Sequence, residues 1–132
     1  MSRDHRKLRV FHDSHRLVLA VYGHTRKFPK EEWFGIRLQM RKAAVSVPTN
    51  IVEGNARGST RDYVRFLHIA LGSSSELQYL VALATELGFA AEDDWAPVRA
   101  QCEAVARQLQ RLVERMEGIA ASESKQGRRQ SA

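Results

Sequence analysis

An unbroken heptad seam near the C-terminus most constrains the fold. Trp95, Val98, Cys102, Val105, Leu109, Leu112, Met116 and Ile119 follow one another in steps that alternate between three and four. This period places eight apolar side chains along one stripe of a helix, the stripe of a left-handed helical bundle. A stripe of that kind needs partner helices to cover it.

The rest of the chain offers three such partners. The first is predicted to begin near Phe11, with a stripe of Phe11, Ser14, Val18, Val21, Thr25 and Phe28 beside Leu17 and Tyr22. It stops at Pro29, because the residue before a proline is driven out of the α region. The second begins between Glu31 and Arg37 and carries Trp33, Ile36, Met40, Ala44, Val47 and Ile51. Pro48 lies within it. A restart with Pro48 in the first turn would make Val47 the cap, and valine caps poorly. One helix, kinked near Pro48, fits better, ending in a left-handed cap at Gly54 or Asn55. Ser59 caps the third helix with Asp62 three residues on, close to a capping box. That helix carries Tyr63, Phe66, Ala70, Ser74, Leu77, Val81 and Ala84 in one stripe and further apolar residues around it, and Gly88 closes it. Asp93 or Asp94 caps the fourth, with Pro97 in or beside its first turn.

The expected fold is therefore all-α, an antiparallel up-down-up-down four-helix bundle. It spans residues 10–119, between a flexible basic arm at 1–9 and a disordered polar tail at 120–132. Pro48, Gly72, Ser73, Ser74 and Ser75 mark the places of close helix or subunit packing, since small side chains let a neighbouring backbone approach.

Chemistry is sparse. No phosphate loop, no HExxH and no Glu-x-x-His pair occurs, so no metal, cofactor or catalytic residue is expected. Cys102 sits on the seam and is expected to be a buried, inert thiol. A lone cysteine leaves no internal disulfide. Glu53 and Glu76 fall where helices turn inward. They are expected to join a buried polar network with Asn50, for which Arg41 and Lys42 are further candidates. A signal-peptide block and any long apolar span are absent from the sequence, which predicts a cytoplasmic protein away from membranes.

The charge balance is +6, from 21 Lys and Arg against 15 Asp and Glu. The basic residues gather in sequence around the second turn: Arg37, Arg41, Lys42, Arg57, Arg61 and Arg65. Arginine forks suit phosphate oxygens, and the helix start at Ser59 adds amide donors. These six are the candidate nucleic-acid contacts. Tyr63 and Phe66 are spaced as core and not as a base-stacking platform, so no base readout is expected. A solvated face with salt bridges between subunits is the competing account of the same residues.

Residues 28–77 carry a resemblance. Phe28-Pro-Lys-Glu-Glu32, Gln39 with Arg41, Ala43-Ala-Val-Ser-Val-Pro48, Asn50-Ile51, Glu53-Gly54, and Ala70-Leu-Gly-Ser73 with Glu76-Leu77 resemble the signature of the bacterial four helix bundle protein family. That family includes proteins encoded in intervening sequences of 23S ribosomal RNA genes, and the accessory variability determinant of diversity-generating retroelements is a relative. The similarity covers roughly residues 10–117. It implies a homopentamer with a non-enzymatic role: binding RNA or DNA, or serving as accessory to a nucleic-acid enzyme. The alternative from a different class is a homo-oligomeric scaffold that binds a protein and touches no nucleic acid.

Overall fold

The computed structural model describes residues 3–131. Among them are four α-helices and no strand: α1 (Arg9–Thr25), α2 (Ile36–Asn55), α3 (Thr60–Glu86) and α4 (Glu92–Ser131). Short 3-10 turns precede α1 (His5–Lys7) and α2 (Lys30–Glu32). Each helix packs on two others, α1 and α3 each on α2 and α4. Cross-helix bonds give the direction. His24 meets Asp94 and Asp13 meets Gln108 across α1 and α4. Ser46 meets Ser73 across α2 and α3, and Thr60 meets Glu123 across α3 and α4. Asn55 also meets Tyr63 across α2 and α3, and His68 meets Glu117 across α3 and α4. In each of these three pairings one index rises as the other falls, so they are antiparallel, and α1 and α2 follow as antiparallel too.

The seam on α4 is buried from Trp95 to Met116. Its last member, Ile119, is 40% exposed, although Glu123 one turn further still meets Thr60 on α3. On α1 the fully buried positions are Ser14, Leu17, Val21 and Thr25, and Phe11 and Val18 are only half-buried. The predicted stripe was therefore rotated, and Leu17 is its centre. Cys102 is 1% exposed, and burial pushes its thiol up to about 12.

Pro48 is buried inside one continuous α2. Its missing amide leaves the Ala44 carbonyl without its usual helical partner. No left-handed cap follows. Ala56 closes α2 with a right-handed backbone, and Asn55 is buried with Nδ2 donating to the Tyr63 hydroxyl at 2.8 Å. Gly54 has a different task. A Cβ there would lie 2.9 Å from both Phe66 Cβ and Tyr63 Cδ1, so this glycine sets how closely α2 approaches α3. Gly88 does close α3 in the left-handed region, at φ 84°. Ser59 caps α3 as expected, accepting from the Asp62 amide.

Both ends differ from expectation. The arm carries defined contacts: Asp4 caps the first turn, and Arg3 donates to the Arg57 carbonyl and Thr60 Oγ1. Met1, Ser2 and Ala132, the extremes of the predicted arm and tail, lie outside the described residues. In place of a disordered tail, α4 continues to Ser131. Adding a residue to an existing helix gains a hydrogen bond without a new nucleation cost. Glu123, Lys125, Gln126, Arg128 and Arg129 are all good helix formers. No described helix is long and apolar enough to cross a membrane.

The close approach at Gly54 predicts opposite outcomes for two alanine substitutions. Gly118 on α4 has open space around it, so Gly118→Ala should stabilise by up to about 1 kcal/mol. Gly54→Ala should destabilise, since overpacking costs about 1–3 kcal/mol. Urea midpoints measure both, and a stabilised Gly54→Ala protein would refute the α2–α3 geometry.

Candidate functional site

The six predicted basic residues do not form one patch. Arg37 and Arg57 flank the two ends of α2, roughly 30 Å apart at 1.5 Å per residue. The structure divides them into a cluster between α1 and α2, and another at the α2–α3 turn.

The first cluster is Arg37, Arg41 and Lys42, joined by Arg26. Arg41 lies over the Tyr22 ring at 4.4 Å, its Nε donates to the buried Thr25 hydroxyl at 2.9 Å, and its Nη2 to the Tyr22 carbonyl at 3.2 Å. Burial first, then the charges of Arg37 and Arg26, lower its pKa, with Tyr22 acting the other way. Arg37 lies over the Trp33 ring at 4.7 Å. Lys42 is exposed and makes no ion pair or hydrogen bond among the described residues. Among the described residues none of these four cations pairs with a carboxylate. Tyr22, Arg41, Lys42, Val45 and Asn50 line an open groove of about 480 Å³ beside them.

The second cluster surrounds Phe66. Arg57 and Arg65 both place their guanidinium carbons over its ring, at 4.5 and 4.6 Å. Arg65 also pairs with Asp62 at 3.4 Å, the one ion pair among the six candidates. Arg61 is exposed and unpaired among the described residues. Arg3 adds a further cation, held over Tyr63 at 4.6 Å. Sequence alone did not find Arg3 or Arg26. Their neighbours come from other helices, and only the His24-to-Thr25 end of α1 beside α2 brings Arg26 in.

The predicted carboxylate network is absent as drawn. Glu53 and Glu76 are both exposed and make no ion pair among the described residues. Only Asn50 enters a polar network: its Nδ2 donates to the Ser46 carbonyl at 2.7 Å and to Ser46 Oγ at 3.0 Å, and Ser46 Oγ meets Ser73 Oγ at 2.7 Å. The two glutamates sit on helix edges where the apolar pattern is wide, so sequence position alone read them as inward. Gly72 is exposed with open space around it, and Ser75 is exposed too. Ser74 is fully buried, with its hydroxyl lacking a hydrogen-bond partner in the protomer. The small patch thus packs α3 inward through Ser73 and Ser74 and leaves Gly72 and Ser75 facing out.

With that geometry fixed, likeness to known proteins adds the family. A model of the 23S rRNA-intervening sequence protein family matches residues 6–111. The chain belongs to this family. The 23S rRNA-intervening sequence protein fold is shared with a solved structure from Bacteroides thetaiotaomicron VPI-5482, described as a protein with unknown function from the S23 ribosomal protein family. The two align at a TM-score of 0.71 and 18% identity, over 79% of this chain and 97% of that one. No curated protein matches the chain. The family match ends at residue 111, before the long exposed end of α4 begins.

Arg41 has a structural duty that its neighbours lack. Arg41→Gln removes two hydrogen bonds and a ring contact, and should cost about 1–2 kcal/mol of stability. Lys42→Gln should cost nothing measurable. Chemical denaturation of both variants checks this, and equal stabilities would mean the Arg41–Thr25 bond contributes nothing.

Proposed function

We propose that this 23S rRNA-intervening sequence protein is a non-enzymatic, self-associating bundle that binds RNA or DNA through phosphate contacts, as accessory to a nucleic-acid enzyme. One observation carries the reading. Arg37, Arg41 and Arg57 rest on aromatic rings and not on carboxylates. Stacking on a ring orients a guanidinium and leaves its charge uncompensated. A phosphate can then take the N–H groups of Arg37 and Arg57, and Nη1 of Arg41, without first breaking an ion pair. Chain charge of +6 favours the same encounter.

Self-association is supported by the outward apolar side chains. Leu38 and Val45 on α2, and Ile69 and Tyr79 on α3, are between 37% and 64% exposed. Gly72 lies among them with room for an approaching backbone. A second copy of the chain, in a pentamer, is the occupant we infer.

The scaffold alternative draws on Phe34, which is 89% exposed in the α1–α2 connection. A protein captured equally well after nuclease treatment would favour it, and one lost with the nucleic acid would favour phosphate binding.

Two measurements test the proposal. Affinity for duplex DNA should fall with salt, with a log–log slope of about 0.9 per phosphate contact. A flat salt response would defeat it. Sedimentation should report five copies, and Gly72→Ala should reduce that assembly while the protomer, which has space for the methyl, keeps its helix content. A wild-type monomer would contradict the assembly.

A further inference from the structure

A second row of cations lies on a face that the preceding function does not use. Arg107, Arg111 and Arg115 occupy every fourth position on α4, outside the seam, and all are exposed. None makes an ion pair or hydrogen bond among the described residues. Arg9, whose side chain is 87% exposed, joins them from the start of α1. Arg9, Gln108 and Arg111 are common to two adjoining grooves of about 270 and 340 Å³, one reaching Arg115 and the other Arg107.

The carboxylate beside Arg9 and Gln108 is already engaged. Asp13 accepts from Gln108 Nε2 at 2.8 Å and pairs with Arg16 and, at 3.5 Å, with Arg9. The Gln108 bond, against some burial, then the Arg16 and Arg9 charges, hold its carboxyl below the usual range. Glu114, on the same helix, accepts from Gln110. Glu103, one turn before Arg107, is exposed and forms no ion pair among the described residues. Positive charge therefore dominates the row.

We propose that Arg107, Arg111 and Arg115, with Arg9, form a track for one backbone strand of a nucleic-acid double helix. This rests on the nucleic-acid binding proposed above. Four residues of helix rise about 6 Å, close to the interval between successive phosphates on one strand. Guanidinium forks match phosphate oxygens in pairs. No aromatic ring lines either groove. Single strands are held by stacking their bases on such rings. A surface that offers charge and aliphatic side chains but no ring suits a duplex, whose bases already stack on one another, and it reads no sequence.

The test compares a short mixed-sequence DNA duplex with its separated strand, by fluorescence anisotropy across a sodium chloride series. The proteins are wild type, the triple variant Arg107→Gln/Arg111→Gln/Arg115→Gln, and the same three positions changed to Lys. Wild type should bind the duplex more tightly than the strand. The Gln variant should lose about 2–3 from the magnitude of the salt slope, at 0.9 per contact, and the Lys variant should keep it. Circular dichroism should show all three equally helical, because the three side chains are exposed and glutamine and lysine are helix formers nearly as good as arginine. A duplex slope unchanged in the Gln variant overturns the track while leaving the proposed function standing on its other arginines. Tighter binding of the single strand overturns the choice of a duplex. Wild type that binds neither probe overturns the proposed function, and the track with it.

Discussion

Burial of Leu17, Met40, Ile51, Leu67, Leu77 and Leu109 against one another leaves no room for a charge inside the bundle. An uncompensated ion there would cost several kcal/mol, so the cations go to the surface. The polar residues that remain buried, Ser14, Thr25, Asn55, Thr60 and Ser74, are all neutral. Aromatic residues at the rim of the core then decide what the arginines do. Tyr22, Trp33, Tyr63 and Phe66 each have a guanidinium above the ring. The core thus fixes the surface chemistry: its edge rings hold cations in place without cancelling them.

Much of the fold was legible because the seam residues repeat at helical spacing and because Pro29, Ser59 and Gly88 punctuate them. The continuity of α2 through Pro48 followed from the poor capping power of Val47. What escaped notice depends on contacts across helices. Gly54 read as a terminator because glycine commonly ends helices, yet the ring of Tyr63 and the Cβ of Phe66 are what require it. Glu53 and Glu76 read as buried because apolar residues flank them in sequence, yet both lie on the exposed side of their helices. The tail read as disordered because it lacks apolar periodicity. A helix already nucleated over Glu92 to Met116 needs no such periodicity to continue.

The candidate site was legible by residue type and illegible by place. Grouping Arg37 to Arg65 by their position in the sequence joined residues that α2 holds far apart. Conversely, the row on α4 was present in the sequence as a four-residue repeat of arginine, which carries no apolar signal of its own beside the seam. Basic residues consequently occupy three faces of the bundle and no single pocket. Such a distribution fits contact with an extended polyanion better than recognition of a small anion, which would need convergent donors around one point.

The central claim is that Arg37, Arg41, Arg57, Arg61, Arg107, Arg111 and Arg115 carry charge that no carboxylate of the described residues neutralises. Thermal melting across sodium chloride, from low ionic strength to physiological, tests it most directly. Screening relieves repulsion among like charges and weakens attractive pairs. The account predicts a melting temperature that rises as salt is added. A melting temperature that falls over the same range would mean the arginines are bound in attractive ion pairs, and would contradict it.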